Sequence, residues 1–153
     1  MKKEDSLKKV KFKVAAFYNF ISILDKDILL IKEQLSEFAK NQEIKGTVLL
    51  ACEGVNGTVC GDENAITEFI EILEKLLRIH DMEIKYSWSE KQAFRRFKAR
   101  KKKEIVTIGL KQINPNKSVG KYIKANQWNE FLEDPDSVVI DTRNEYEIKI
   151  GNF

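Results

Sequence analysis

The chain has 153 residues, of which 42% are apolar and 33% are charged, with seven glycines and two prolines. This is a soluble globular composition for one domain, or one domain and part of a second, and it excludes collagen-like and wholly disordered chains. No apolar run approaches the roughly 18 to 20 residues of a membrane span, and residues 1–5 lack the apolar core of a secretory signal. We therefore expect a cytoplasmic protein with no membrane partner, whose two cysteines are thiols.

The net charge of +3 is distributed unevenly along the chain. Residues 1–90 carry −3, residues 91–124 carry +11 and residues 125–153 carry −5. A concentrated basic block usually meets an acidic partner, most often nucleic acid. The charge map therefore predicts a binding surface in the middle of the sequence.

The first elements are a strand and a helix. Residues 12–20 are aromatic and β-branched enough to predict a strand. Asp25 and Asp27 offer N-terminal caps, and the apolar residues behind them recur at helical spacing as far as Lys40.

A hairpin is predicted next. Residues 46–51 have the composition of a second strand, and Asn56 and Gly57 form a dipeptide that tolerates positive φ at both positions. This dipeptide predicts the turn of a hairpin, with residues 58–60 as the returning third strand.

The pattern is completed by a second helix and further strands. Asp62 is placed to cap a helix with a strong apolar stripe, residues 82–88 alternate with period two, and residues 104–109 predict a fifth strand. The order β-α-β-β-α-β is that of the ferredoxin-like α+β sandwich. It predicts an antiparallel sheet with both helices on one face and the other face open to a partner.

Beyond this domain the composition changes. Residues 114–118 are polar and turn-prone, residues 128–132 suggest a short helix, residues 134–136 a turn and residues 138–140 an apolar strand. Such a short piece cannot bury a core of its own, so we expect the chain to end inside a second domain. The predicted boundaries are residues 10–110 for the first domain, 111–124 for a linker and 125–153 for the start of the second.

The basic block is the strongest candidate site, and we predict that it contacts RNA. Phe94 and Phe97 are interleaved with its cations, and aromatic rings can stack on unpaired bases. If the segment is extended, Arg96, Lys98, Arg100 and Lys102 lie on one face. The alternative is a charged edge strand that discourages aggregation. The candidate nucleic-acid-binding residues are Arg95, Arg96, Lys98, Arg100, Lys101, Lys102 and Lys103.

Two other groups have structural interpretations that we favour. Tyr86 and Trp88 lie two apart on one strand face, where they would form either a stacking platform on the open side or part of the core, and the core is favoured. Glu53 and Asn56 sit between glycines, and turn formation accounts for them without a functional role.

No catalytic or metal site is predicted within the chain. Cys52 and Cys60 flank the hairpin, and His80 lies beyond a helix, so the ligands for zinc are not brought together. Both cysteines are interpreted as small buried thiols. A glycine-rich phosphate loop and a nucleophile elbow are absent from the sequence.

Three segments, in this order and spacing, carry a family resemblance: EGVNGT at 53–58, KEIVTIG at 103–109 and VIDTRNEYE at 139–147. They resemble the rhodanese-related bacterial tRNA uridine hydroxylases over residues 12–153. The resemblance implies an acylphosphatase-like, ferredoxin-like domain followed by a truncated start of an α/β rhodanese domain. It also implies an enzyme that hydroxylates the wobble uridine of tRNA at position 5, with molecular oxygen as co-substrate and tRNA as partner.

The resemblance also distributes the roles. It implies that the family's essential cysteine lies beyond Phe153, so Cys52 and Cys60 do not inherit that role and this chain alone is predicted to be inactive, with no cofactor of its own. Asp141 and Arg143 match an Asp-x-Arg element of rhodanese domains, whose role is structural as readily as catalytic.

Two alternatives to the hydroxylase remain open, and a third is disfavoured. One is a rhodanese-type sulfurtransferase, and the other is a non-enzymatic module that binds RNA or protein through the basic block. An acylphosphatase is disfavoured because residues 19–22, after the first strand, contain neither arginine nor a glycine-rich phosphate cradle.

Overall fold

The structure is a computed structural model that describes residues 11–105 and 120–151. The chain divides into two compact units, residues 1–119 and 120–153. The elements of the first unit are, in chain order, β1 (Phe12–Phe20), α1 (Asp25–Asn41), β2 (Lys45–Ala51), β3 (Gly54–Gly61), α2 (Glu63–Leu77), β4 (Ile84–Ser89) and β5 (Phe97–Lys101).

The five strands form one sheet in the order β4-β1-β3-β2-β5. Strand β1 lies antiparallel to both β3 and β4, and β2 lies antiparallel to β3, as the ferredoxin-like prediction requires. The prediction of a wholly antiparallel sheet is wrong at one edge, because β5 runs parallel to β2. The α+β fold class predicted from the sequence is confirmed.

Both helices pack on one face of the sheet, and the core lies between the two layers. The apolar stripe of α2 is buried as predicted, and Phe69 at its centre is fully buried with its ring 6.4 Å from that of Phe38 in α1. Burial of one such side chain contributes about 1.5–3 kcal/mol. Several of them therefore fix α1 and α2 against the sheet.

Strand register assigns each side chain to one of the two faces. Phe17 lies opposite Gly57, and Ala15 lies opposite Val59, and these residues point toward the helices. Their neighbours Ala16 and Thr58 therefore point away from the helices, because side chains alternate along a strand. We call the first side the helix face and the second the open face.

The predicted hairpin turn at Asn56 and Gly57 is wrong, because both residues lie inside β3. The turn is formed by Cys52 and Glu53, the two residues before the start of β3. At Gly57 a Cβ atom would lie 2.7 Å from the ring of Phe17, so glycine is required here by close packing and not by turn geometry.

The predicted fifth strand at 104–109 is also misplaced. Residues 104 and 105 belong to no strand, residues 106–109 lie outside the described part of the chain, and β5 coincides with the basic block. Because β4 and β5 lie at opposite edges, residues 90–96, which we call the crossing segment, must cross four strand intervals, about 19 Å. These seven residues reach about 24 Å when extended, so the chain arrives beside β2 only at Phe97.

The two helix starts differ from each other. Asp62 caps α2 as predicted, its carboxylate accepting a hydrogen bond from the Asn64 N–H. The N-cap position of α1 is Leu24, whose side chain makes no capping hydrogen bond. The expected cap at Asp25 is therefore wrong, and its carboxylate is used elsewhere.

The second unit contains a short 3₁₀ helix (Ala125–Gln127), α3 (Trp128–Glu133) and α4 (Glu145–Ile148). The predicted short helix and the turn after Asp134 are confirmed. The predicted strand at residues 138–140 is absent, and Val138 and Ile140 are 84% and 78% exposed. A strand needs a neighbouring strand for its hydrogen bonds, and residues 120–151 supply none.

Candidate nucleic-acid interface

Along β5, successive side chains of the basic block alternate between the two faces of the sheet. Phe97 pairs with Gly46 and Ala99 with Val48, so both face the helices. Lys98 pairs with Thr47, and Arg100 with Leu49, so both cations stand on the open face. The prediction that an extended segment would place alternate cations together is confirmed for these two residues.

The cations around Lys98 repel one another. The neighbouring Arg96 guanidinium lowers the pKa of the Lys98 ammonium below its ordinary value, and partial burial and Arg100 act in the same direction. Three like charges concentrated at one edge of a sheet produce a positive potential that favours an anion. Arg96, Lys98 and Arg100 therefore form the basic cluster of this domain.

Lys101 points the other way and forms an ion pair with Asp25 at the start of α1, with Nζ and Oδ1 2.5 Å apart. The Lys101 ammonium lowers the pKa of that carboxyl, and the pKa falls further because the Cys52 thiol donates to it at 3.7 Å. Because Asp25 neutralises its charge, Lys101 contributes less to the positive potential than Lys98 or Arg100.

The remaining candidate cations do not converge on the basic cluster. Arg95 lies before β5 and is exposed, and Lys102 and Lys103 follow the strand and are exposed. The Lys102 N–H donates to the Leu50 carbonyl at 2.8 Å, which continues the attachment to β2. Their positions at the two ends of the strand extend the basic surface lengthwise.

The aromatic residues predicted for stacking have other positions. Phe97 packs edge-on against Phe69 with ring centroids 5.9 Å apart, so its ring belongs to the core side. Tyr86 and Trp88 are 49% and 52% exposed, so the core interpretation is wrong. They pair with Ala15 and Lys13, which places them on the helix face rather than the open face.

Sequence reasoning missed the role of Glu53 and Asn56. The Ile105 N–H donates to Glu53 Oε1 at 2.7 Å, and Asn56 Nδ2 donates to the Ile105 carbonyl at 3.5 Å. Gly54 lies between them, and a Cβ there would lie 3.1 Å from Ile105 Cδ1. We call these contacts the exit clamp, because they hold the chain where it leaves β5. The signal was present, since EGVNGT and KEIVTIG are two of the three segments that carried the resemblance.

The two thiols have different environments. Cys60 is buried as predicted, and it is covered by the crossing segment, whose Ala93 N–H points to Sγ at 3.5 Å and whose Gln92 side chain donates to the Cys60 carbonyl at 3.2 Å. Cys52 is exposed in the β2–β3 turn, so the prediction that both thiols are buried is wrong for it.

In the second unit Asp141 and Arg143 bind each other. Two hydrogen bonds join Arg143 Nε to Asp141 Oδ1 at 3.0 Å and Nη2 to Oδ2 at 2.7 Å, and Nη2 also donates to the Gly151 carbonyl. The guanidinium lowers the pKa of the Asp141 carboxyl. These contacts close the loop after residue 140.

Residues 11–105 and 120–151 form neither a cluster of metal ligands nor a helix that could span a membrane. In these ranges no three His, Cys, Asp or Glu side chains come together as metal ligands. Among the helices formed by the same residues, none is both long and apolar enough to span a bilayer.

The comparison with protein families identifies the first unit. The model of the UPF0176 acylphosphatase-like domain matches residues 12–105, from the start of β1 to the exit clamp. The chain belongs to this family. The match includes the sheet, the basic cluster and the exit clamp, and it confirms the acylphosphatase-like fold that the sequence motifs implied.

Curated relatives extend the similarity over the whole chain. A tRNA uridine(34) hydroxylase of Prochlorococcus marinus (strain NATL2A) is 79% identical over 153 residues, which is all of this chain and 48% of the relative. A protein of the same name from Synechococcus sp. (strain CC9605) is 47% identical over 145 residues, covering 92% of this chain and 44% of the relative. The chain spans about half the length of the curated relatives it matches.

Solved structures show a more distant likeness. An acylphosphatase from Coxiella burnetii aligns at 13% identity with a TM-score of 0.43, covering 63% of this chain and 99% of that one. The fold assignment rests on the family match and on the strand order described above.

Proposed function

We propose that this UPF0176-family chain is the tRNA-binding, N-terminal part of an oxygen-dependent tRNA hydroxylase that acts on the wobble uridine at position 5. The proposal is supported by relatives named tRNA uridine(34) hydroxylase, which match the chain from end to end. The partner would be tRNA and the co-substrate molecular oxygen, in the cytoplasm. We propose residues 10–110 as the first domain, 111–124 as a linker and 125–153 as the start of a rhodanese domain.

The observation that carries the tRNA-binding role is the basic cluster, of which Lys98 and Arg100 stand on the open face. Its three cations repel one another, as the lowered pKa of Lys98 indicates, and a phosphate chain would relieve that repulsion. Lys98 and Arg100 are two residues apart on a strand, about 6.6 Å along its axis. This spacing suits the successive phosphates of a nucleic-acid strand.

The proposed division of labour leaves the chemistry outside this chain. The thiol in the exposed turn, Cys52, points to Asp25, and the other thiol, Cys60, is covered by the crossing segment. In the second unit the Asp141 carboxylate is already engaged by Arg143, which favours a structural role for the Asp-x-Arg element.

The binding role is tested by charge reversal of the basic cluster. A variant with Arg96→Glu, Lys98→Glu and Arg100→Glu is titrated against labelled tRNA by fluorescence anisotropy at several salt concentrations. The expected result is weaker binding and a log–log salt slope that is smaller in magnitude by about 2 to 3, since each lost phosphate contact removes roughly 0.7–0.9. Circular dichroism of the variant checks that it is folded.

A matched control makes the same change in net charge on the other side of the domain. Lys26, Lys40 and Lys75 are exposed residues of α1 and α2, and each is changed to glutamate. Binding by this control is expected to stay close to that of the original chain. Equal losses in the two variants would show a general effect of net charge and would contradict the proposed interface.

The proposed inactivity of the chain alone has its own test. The chain is expressed in a bacterial strain that lacks its own enzyme, and the tRNA nucleosides are measured by mass spectrometry. We expect no 5-hydroxyuridine above the background of that strain. Its appearance at the wobble position would show that residues 1–153 suffice for the reaction and would overturn the division of labour.

A further inference from the structure

The open face carries an ordered row of side chains that crosses the sheet. Tyr18 of β1 lies opposite Asn56 of β3, which lies opposite Leu49 of β2, and Leu49 lies opposite Arg100 of β5. Residues in register across a sheet share one face. The row therefore begins with the ring of Tyr18 in β1 and ends in the basic cluster, and Asn56 within it carries Ile105 of the exit clamp.

The ring at the inner end of the row is accessible. Tyr18 is 39% exposed, and the ring of Phe20 meets it edge-on with centroids 6.3 Å apart, which fixes its orientation. Beside it lies a depression of about 130 Å³, enough for a single nucleobase. The depression also offers hydrogen-bonding groups for the edge of a base, and the polar side chains in its lining are Tyr18, Asn56, Thr58, Glu83 and Lys85.

An exposed ring at the end of the row favours single-stranded over double-stranded RNA. Three strand intervals separate Tyr18 from Arg100, about 14 Å. This exceeds the reach of one nucleotide. A strand with its phosphates at Lys98 and Arg100 would pass over Thr47 and Thr58, beside Ile105, and would place a later base over Tyr18. In a duplex the base faces are stacked on one another, whereas an unpaired base can stack on a protein ring.

We propose that the open face binds a single-stranded RNA segment, with one unpaired base stacked on Tyr18 while Lys98 and Arg100 hold its phosphates. This rests on the proposed function for the choice of RNA as partner, and it adds the class of RNA and the residue that holds the base. The comparably exposed ring of Tyr86 lies on the opposite face of the sheet, so it takes no part.

The test uses the full chain and two labelled RNAs, a short single-stranded oligonucleotide and a duplex of the same sequence. Tyr18→Ala is expected to weaken single-strand binding on the order of 10-fold or more, because one stacked base is lost, and to leave duplex binding unchanged. Tyr18→Phe keeps the ring and is expected to bind like the original chain. Tyr86→Ala is the matched control and is also expected to bind normally.

A second measurement covers the case in which Tyr18→Ala is unstable. Tyr18→Leu keeps an apolar side chain in the strand, and binding is followed with 2-aminopurine at each position of the oligonucleotide in turn. Stacking on Tyr18 quenches the probe at one position, and this quenching is expected in the original chain and absent in Tyr18→Leu.

The results separate this inference from the proposed function. If Tyr18→Ala and Tyr18→Leu bind the single strand normally while reversal of the basic cluster abolishes binding, the stacking role is wrong and the tRNA interface stands. If Tyr18→Ala and Tyr86→Ala weaken binding equally, the open face has no special role and the inference is overturned. If the original chain binds no RNA, the proposed function fails and this inference fails with it.

Discussion

Loss of the Glu53 side chain should open the exit clamp, and the contacts of the clamp predict by how much. Glu53→Ala removes the carboxylate that accepts the Ile105 N–H at 2.7 Å. A second polar contact, from Asn56 Nδ2 to the Ile105 carbonyl, is 3.5 Å long and therefore weak. The variant should thus release the chain where it leaves β5 while the sheet stays intact.

The free energy lost with this hydrogen bond depends on the charge of its acceptor, the Glu53 carboxylate. A hydrogen bond to a charged group contributes about 1.5–3 kcal/mol, and the lower end applies because Glu53 is only half-buried. A loss of about 1.5 kcal/mol raises the population of the locally opened state roughly 10-fold. Glu53→Gln keeps an acceptor without the charge, so its effect should be intermediate.

Limited proteolysis measures this opening directly, because trypsin cleaves after basic residues and Lys103 precedes the clamp by two positions. Cleavage after Lys103 should be about 10-fold faster in Glu53→Ala, since the rate follows the population of the open form. Cleavage after Lys124, in the second unit, is the internal control. A rate at Lys103 within twofold of the original chain would refute the clamp.

Three further predictions concern packing, charge and thiol exposure. Gly57→Ala should lower the free energy of unfolding by about 1–3 kcal/mol in a urea titration. The loss should be smaller in a Phe17→Leu background, which removes the end of the ring. An equal loss in both backgrounds would exclude the ring as the cause. RNA binding should weaken at alkaline pH, because the lowered pKa of Lys98 makes it lose its proton at a lower pH than an ordinary lysine. Lys98→Arg should keep its affinity to higher pH. Identical pH profiles of the two proteins would contradict this. Cys52 should react with a thiol reagent in the native protein and Cys60 only on unfolding, so that rapid labelling of both would show the crossing segment to be open.

Part of the candidate site could be predicted from the sequence. The excess of cations in residues 91–124 is a matter of composition, and the alternation of Phe97 and Ala99 with Lys98 and Arg100 is a strand pattern. Which of the cations would be neutralised by an acidic partner was not predictable. The structure neutralises one of them, Lys101, because the start of α1 brings a carboxylate beside it.

The aromatic residues show more clearly what could not be predicted from the sequence. Tyr86 and Trp88 are an obvious aromatic pair in the sequence, and Tyr18 is one aromatic residue among several in β1. Register places the pair on the helix face and Tyr18 on the open face, in line with Arg100. Alternation along one strand shows which residues share a side, but only pairing with other strands shows which side the helices cover.

The sequence alone determined the order of the first four strands and two helices, the amphipathic stripe of α2 and its cap at Asp62, because these depend on residues within a few positions of one another. The tertiary structure alone decided that Gly57 lies in a strand under Phe17, that β5 begins where the crossing segment reaches β2, and that Glu53 holds Ile105. Each of these joins residues that are distant in the chain. Contacts of this kind depend on how the helix layer and the sheet pack, and local sequence propensity does not determine that packing.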